Sequence, residues 1–344
     1  MSTGPHDSPV RGAVLGLGMI GRHHARLLQT SPALAFAGAA DPAGDRFGVV
    51  REPADLFPSL EALLDRPEGE RPAFVVLAVP TEEHLAAAAV CAAAGVHVLV
   101  EKPLAATTQE AEAIIAACEA NHVLGAVGHV ERYNPALLEL RRRVQEGQLG
   151  EVFLIATERL GPFPDRVRDV GVVKDLATHD LDLVRWIGGS PIDLLAAQTT
   201  NRTGRPHEDL VLVTGRLQSG VTFNNVVDWL TPTKTRRTRV LGDKGMLVAD
   251  TLTSDLTFFE NGSIPTSGWE SDQALRGVTE GNSVRYALNR REPILVELEA
   301  FAAHVAGRPG PDPVVTLQEG LETVRAAETV LSSAQTGESM RVPA

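Results

Sequence analysis

Cysteine is scarce in this chain, positive charge is in deficit, and no apolar run is long; each shortage excludes a class of protein. Cysteine occurs twice in 344 residues, at Cys91 and Cys118. Two thiols in Ala-rich segments that read as helices do not make a disulfide framework, and they suit small buried residues in a reducing compartment. The expected location is the cytoplasm. Lys and Arg number 32 against 44 Asp and Glu, a formal charge of −12. That balance argues against a broad basic surface, so neither nucleic acid nor a membrane is expected as a partner, and any anionic ligand must meet a local group of arginines. The most apolar run, residues 85–100, is interrupted by Gly95 and His97 and is too short and Ala-rich to span a bilayer. The opening MSTGPHDSPVRG lacks a basic region followed by an apolar core and reads as a frayed tail rather than a signal peptide. There is no internal repeat and no low-complexity tract.

The chain does have the material for two domains, since 43% of its 344 residues are hydrophobic. VRGAVLGLG at 10–18 is a β-branched apolar run ending in glycines, and MIGRHHARLLQT at 19–30 follows at helical spacing. The alternation continues through LAFAGAAD (34–41), SLEALLDR (59–66), AFVVLAVP (73–80), EEHLAAAAVCAAAG (82–95), VHVLVEKP (96–103), TQEAEAIIAACEAN (108–121) and VLGAVGHV (123–130). Near-continuous apolar strands between helices imply a doubly wound parallel sheet covered on both faces. After about residue 128 the strands lengthen and alternate in polarity: EVFLIATERL (151–160), EDLVLVTGRL (208–217) and VTFNNVVDWL (221–230), with a hairpin turn at LQSG (217–220). These predict an open, mostly antiparallel second sheet, and the helices ILVELEAFAAHVAG and LQEGLETVRAAETVLSSAQ follow it. The fold class is α/β, with a Rossmann domain over 1–127 and a second α/β domain over 128–344 whose final helices are free to pack back on the first. Residues 261–292 form a loop of unread path, in which Trp269 is equally a base-stacking residue or a surface anchor.

Gly16, Gly18 and Gly21 spell G-x-G-x-x-G where the first strand meets the first helix. Glycine closes the turn and lets backbone N–H groups approach a pyrophosphate at the positive end of the helix. A bare glycine turn carries the same letters. The strand-to-helix context and Asp41, 20 residues after Gly21, select the dinucleotide. A carboxylate there accepts from the ribose hydroxyls and repels a 2′-phosphate, so the expected cofactor is NAD rather than NADP, and Arg46 reads as a solvated helix residue. Lys102, between Glu101 and Pro103 at a strand end, either stabilises a developing alkoxide or is simply dissolved in water.

Within GPFPDRVRDVGVVKDLATHDLD (161–182), the segment from Asp175 to Trp186 reads as a helix with Val173, Ala177, Leu181 and Val184 as its core row. Asp175, His179 and Asp182 share another face. A carboxylate one turn before a histidine holds the imidazole in one tautomer and raises its basicity, as a general base requires; the same pair on a helix surface does little. Asp180 and Asp182 read as solvating the helix or bonding nearby backbone. Pro162 and Pro164 shape the loop before the helix. Arg159, Arg166 and Arg168 are fork-shaped donors suited to a diphosphate, or else surface partners of Asp165 and Asp169. His23, His24, His122 and His129 have no carboxylate spacing that argues for zinc, and no metal is expected. The basic runs Arg141 to Arg143 and RRTRVLGDKG (236–245) read as solvated charge, the second with a turn at Gly242 to Gly245.

The glycine turn running into GRHHARLL, AVPTEEH at 78–84, EKPLAATTQEAE at 101–112 and Asp175-x-x-x-His179 occur in order over nearly the whole chain. With them the chain resembles the glucose–fructose oxidoreductase, inositol dehydrogenase and rhizopine catabolism family (Gfo/Idh/MocA). The resemblance implies a nicotinamide cofactor and hydride exchange at a carbon bearing a hydroxyl or ketone on a sugar or cyclitol. It implies that Lys102, Asp175 and His179 meet at the substrate, with His179 as general acid/base, Lys102 on the reacting oxygen and Asp175 orienting the imidazole. Around the cofactor it adds Met19, Ile20, Pro80, Thr81, His84, Glu101 and Lys102 to the three glycines and Asp41; His84 reads equally as a satisfied histidine at a helix start. VGHVERYNPALLEL (127–140) and ERLGPFPDRVRDVGVVKDLATHDLDLVRW (158–186) resemble, more narrowly, the UDP-N-acetylglucosamine 3-dehydrogenase branch. The family resemblance implies Tyr133 and Asn134 on nicotinamide or sugar hydroxyls and Arg132 on phosphate, beside Arg159, Arg166 and Arg168 on the diphosphate of a nucleotide sugar, although Tyr133 and Asn134 also suit packing and turns. The second sheet of the family implies a homodimer or homotetramer. Two alternatives stay open. One is a dehydrogenase or ketoreductase of inositol, a free sugar or an antibiotic precursor; the other is a non-catalytic NAD-binding regulator, which would not need Lys102, Asp175 and His179 together.

Overall fold

A computed structural model describes residues 8–164, 170–262, 280–308, 310 and 314–343. Strands β1 (Val10–Leu15), β2 (Leu34–Ala40), β3 (Leu56–Phe57), β4 (Phe74–Leu77), β5 (His97–Glu101) and β6 (Gly125–Gly128) form a parallel sheet in the order β3-β2-β1-β4-β5-β6. All four residues of β4 are fully buried, as a sheet covered on both faces requires. The connecting helices are α1 (Gly21–Leu28), α2 (Leu60–Leu64), α3 (His84–Ala93) and α4 (Thr108–Ala120), the last opened by a reciprocal capping box of Thr107 and Glu110. Cys91 and Cys118 are free and buried. Burial pushes their thiols up to about 12 and about 11, so they pack as small apolar groups. The strand order reverses between β1 and β4, the switch point at which doubly wound sheets bind dinucleotides.

The second sheet comprises β7 (Val152–Pro162), β8 (Ile192–Thr200), β9 (Leu210–Leu217), β10 (Thr222–Asp228), β11 (Leu230–Gly242), β12 (Gly245–Asp250), β13 (Asp255–Asn261), β14 (Glu280–Arg285) and β15 (Met340–Arg341). Its order is β14-β13-β12-β11-β7-β10-β9-β8-β15, antiparallel throughout except where β10 runs parallel to β7. The LQSG turn joins β9 to β10 as the pattern predicts. Val211 and Val213 point inward while Leu212 and Thr214 point out, so one face meets the core. On that face pack α5 (Pro135–Gln145) and α6 (Thr178–Gly188), with Leu137, Leu140, Leu181 and Val184 fully buried against Ile155 and Phe223. The turn read at Gly242 to Gly245 joins β11 to β12. No local pattern announces β8 or β13 to β15; β8 reads IDLLAAQTT, without alternation.

By contacts the chain forms two compact units, Met1–Tyr133 with Arg291–Arg325, and Asn134–Arg290 with Ala326–Ala344. Helix α7 (Pro293–Val305) belongs to the first, where Phe301 meets Phe74 edge to face at 5.3 Å. Helix α8 (Leu317–Thr336) gives Leu317 and Leu321 to the core of the first unit and Ala326, Ala327 and Val330 to that of the second. No helix among the described residues is long and apolar enough to cross a membrane.

Candidate active site

In the first unit the turn between β1 and α1 is shaped by its glycines. Gly16 has φ +89°, and a Cβ there would stand 2.6 Å from the Ala78 carbonyl oxygen; a Cβ on Gly21 would stand 1.8 Å from the Gly16 oxygen. Gly18 is the opposite case, with nothing within 4 Å of the place its Cβ would occupy. The backbone there is open to close approach at a helix start, which is what a pyrophosphate requires. Asp41 is tied to the same turn, its Oδ2 accepting the Leu17 amide at 2.8 Å and its Oδ1 the Ala43 amide at 2.7 Å. Each oxygen keeps a second lone pair for a ribose hydroxyl. These residues fit NAD.

Around the turn, Met19 and Pro80 are exposed and Ile20, Thr81 and Lys102 half-buried. His84 is buried, with Nδ1 3.1 Å from the Leu104 carbonyl and Nε2 3.2 Å from that of Val79. Burial lowers its pKa despite those carbonyls, so the ring is neutral, gives its single N–H to one of them, and joins the loops after β4 and β5. Glu101 departs from the expectation of a cofactor contact. Its carboxylate turns inward: Oε1 lies 2.7 Å from Nε2 of His24 and Oε2 accepts the Lys102 amide at 3.2 Å. Burial pushes the Glu101 carboxyl up, but the His24 hydrogen bond and the His24 and Lys102 charges outweigh it and hold the group below the usual range. Glu297 of α7 joins them, and one ligand atom from each of His24, Glu101 and Glu297 lies within 4.8 Å of the others. The spacing around His24 gave no sign of a carboxylate, because these partners arrive from β5 and α7.

In the second unit, a π turn at Val173–Ala177 runs into α6. Val173, Ala177, Leu181 and Val184 are all fully buried, the core row that their spacing predicts. Asp175 is buried and His179 half-buried. The turn is wider than the expected α-helix, and Glu208 fixes its start: its carbonyl accepts the Val172 amide at 3.0 Å and its Oε1 the Val173 amide at 3.1 Å. Gly171 leaves the room, since a Cβ there would stand 2.0 Å from that carboxylate. Asp180 and Asp182 do not solvate the helix. Both are buried; Asp180 accepts from Arg159 Nε at 2.7 Å, and Asp182 stands 3.8 Å from Arg185.

Four residues expected on the substrate are buried and engaged inside their own units. Arg159 is held by Asp180, and Arg132 donates to Glu319 at 2.6 Å. Tyr133 lies in the core of the first unit. Asn134 caps α5, accepting the Ala136 amide at 3.0 Å while donating to the Thr251 carbonyl at 3.1 Å. Arg166 and Arg168, with Asp165 and Asp169, lie outside the described residues. Of the basic run, Arg142 is an exposed partner of Glu139 and Glu146, but Arg141 lies 4.7 Å over the Trp186 ring and Arg143 3.3 Å over that of Tyr286, so these two are not simply solvated.

The sequence model described as an oxidoreductase family with an NAD-binding Rossmann fold matches residues 10–129, and that of the GFO/IDH/MocA C-terminal domain matches residues 137–248. UDP-N-acetylglucosamine 3-dehydrogenase of Acidithiobacillus ferrooxidans is 30% identical over 304 residues, covering 86% of this chain and 89% of its own. The chain belongs to the Gfo/Idh/MocA family. The solved structure of that A. ferrooxidans dehydrogenase matches this Gfo/Idh/MocA protein with a TM-score of 0.79 at 27% identity, over 96% of this chain and 98% of the other. Inositol 2-dehydrogenase 2 of Saccharopolyspora erythraea is 30% identical over 202 residues, 57% of this chain and 59% of that one. This Gfo/Idh/MocA protein is an NAD-dependent dehydrogenase acting on CH–OH groups, with the glycine turn and Asp41 on its NAD-binding sheet.

Proposed function

We propose that this dehydrogenase oxidises a secondary alcohol of a nucleotide-activated amino sugar, the C3 hydroxyl of UDP-N-acetylglucosamine. The observation that carries the reading is a half-exposed His179 following a buried Asp175 on a turn pinned by Glu208. A general base has to be reachable by substrate yet held in one orientation. In this reading Lys102 donates to the reacting oxygen and stabilises alkoxide charge, His179 removes the hydroxyl proton, and Asp175 holds the imidazole tautomer. NAD, when bound, supplies the hydride acceptor. Similarity to the A. ferrooxidans enzyme over 86% of the chain supports the nucleotide sugar. Arg166 and Arg168 supply the diphosphate contacts, while Arg132 and Arg159 hold the scaffold.

The test mixes purified protein, NAD and UDP-N-acetylglucosamine with a keto-trapping amine and follows absorbance of the reduced nicotinamide. A rise is expected, reduced about 10²- to 10⁴-fold in His179→Ala. Turnover of a free cyclitol with none of the UDP-sugar would reject the nucleotide part. The inward engagement of Arg132 and Arg159 is what favours that second reading, an inositol or free-sugar dehydrogenase, because it leaves fewer cations for a diphosphate.

The same reading includes a homodimer or homotetramer through the second sheet. On its outer face Leu154, Leu241, Met246 and Phe259 stand opposite one another across β7, β11, β12 and β13. Leu241 is 37% and Phe259 43% exposed, so the row offers an apolar strip that a second copy would cover isologously.

A further inference from the structure

Glu297 is 1% exposed, and neither oxygen of its carboxyl has a hydrogen-bond partner among the described residues. A carboxyl so placed is tolerated as a neutral acid but opposed as an anion. Beside it, fully buried His24 and Glu101, itself 8% exposed, approach to 2.7 Å. Two chemistries gather such groups, a metal ion or a hydrogen bond. Ligands on a tetrahedral ion with bonds of about 2.0–2.2 Å stand roughly 3.3 Å apart. The separation of His24 from Glu101 is a hydrogen-bond distance, and for that pair it selects the second.

We propose that His24, Glu101 and Glu297 act as one positioning unit for Lys102, a buried triad that ties the helix following the glycine turn to the strand end carrying the lysine. The inference rests on the reading of Lys102 as the group on the reacting oxygen. Glu101 accepts the Lys102 amide at 3.2 Å, so its carboxylate sets the backbone from which the lysine side chain departs. Its other oxygen takes the His24 ring of α1, and Glu297 of α7 closes the cluster from behind. Gly128 at the end of β6 makes room, since a Cβ there would stand 3.2 Å from the Glu101 carboxylate. Charge follows the same plan. Burial, then the charge of Glu101, raises the Glu297 carboxyl well above its ordinary 4.5, so Glu297 is the neutral acid. Glu101, held low by His24 and Lys102 against its burial, keeps the negative charge, which also acts on His84 of α3. One carboxylate charge, not two, therefore lies behind Lys102.

The decisive measurement is an infrared difference spectrum between the full-length protein and Glu297→Gln at neutral pH, without substrate. The parent is expected to show the carbonyl stretch of one protonated carboxyl that the variant lacks; no difference there would mean an ionised Glu297 and overturn the proposal. Kinetics give the second arm. Glu101→Gln keeps the shape and removes the charge, and is expected to lower kcat about tenfold or more while KM for NAD changes less than about threefold. Glu297→Ala is expected to lower kcat similarly and Glu297→Gln to restore most of the loss. Equal losses of kcat and melting temperature in the Ala and Gln variants would reduce the triad to packing and refute the positioning role. The infrared arm needs no sugar, so an incorrectly assigned sugar appears separately, as absent turnover in the parent with the infrared difference intact.

Discussion

Arg159 and Asp180 are 2.7 Å apart with side chains 5% and 2% exposed, and removing one takes a close opposite charge away from the other in a buried site. Asp180→Ala is expected to destabilise the second unit by about 3–5 kcal/mol, read from urea denaturation. The Arg132–Glu319 pair is more open and adds a pH dependence. Burial raises the Glu319 carboxyl, but Arg132 and Thr316 outweigh it and hold the group below its ordinary 4.5. A folded value lowered in this way contributes stability above the unfolded value and loses it as pH falls through the folded one. The deficit of Glu319→Gln relative to the parent should be about 2 kcal/mol at pH 7 and shrink progressively below about pH 4 in matched denaturation curves. A deficit independent of pH would count against the ionic account. These pairs also mark the limit of what residue types reveal. Asp175 and His179 read as a pair because a helical period spaces them, whereas Arg132 finds its carboxylate 187 residues away and Arg159 finds its own across 21. The sequence identifies good anion ligands but not which of them the fold has already engaged.

Glu208 and Gly171 act on an element rather than on a substrate. Their contact fixes the first amides of the turn that bears Asp175 and leads into the helix of His179, so Gly171→Ala should push Glu208 away, loosen that turn and lower kcat about tenfold while the melting temperature falls only slightly. Unchanged turnover in that variant would remove Glu208 from the support of His179. The elements that could be read in advance are those with a local period, such as the apolar strands of the first sheet, α6 with its buried row, and the β9–β10 hairpin with its turn. The π turn could not be read, because its width depends on partners from the loop before β9. The His24–Glu101–Glu297 triad was equally hidden, though His24 falls on the buried face of α1 with Ala25 and Leu28, and that placement was its one local signal.

For the whole molecule, the proposed assembly rests on the row of Leu154, Leu241, Met246 and Phe259. Leu241→Glu with Phe259→Glu should reduce the solution mass measured by light scattering from a dimer or larger to a monomer, with the melting curve still cooperative; a parent that is already monomeric would reject this interface. Texture along the chain is enough to separate a parallel from an antiparallel sheet, but not to place β10 parallel beside β7 or to bring Phe301 against Phe74, because such pairings carry no local mark. The return of Arg291–Arg325 to the first unit has a consequence for biosynthesis. When Tyr133 leaves the ribosome, six parallel strands exist but Leu298, Phe301, Leu317 and Leu321, which complete their cores, have not been translated. Residues 134–290 must be made first, which at about 5–20 residues per second takes on the order of ten seconds or more. Throughout that interval the nascent NAD-binding sheet lacks the helices that cover its apolar surface, and a chain arrested before residue 291 should remain protease-sensitive where the released chain is resistant.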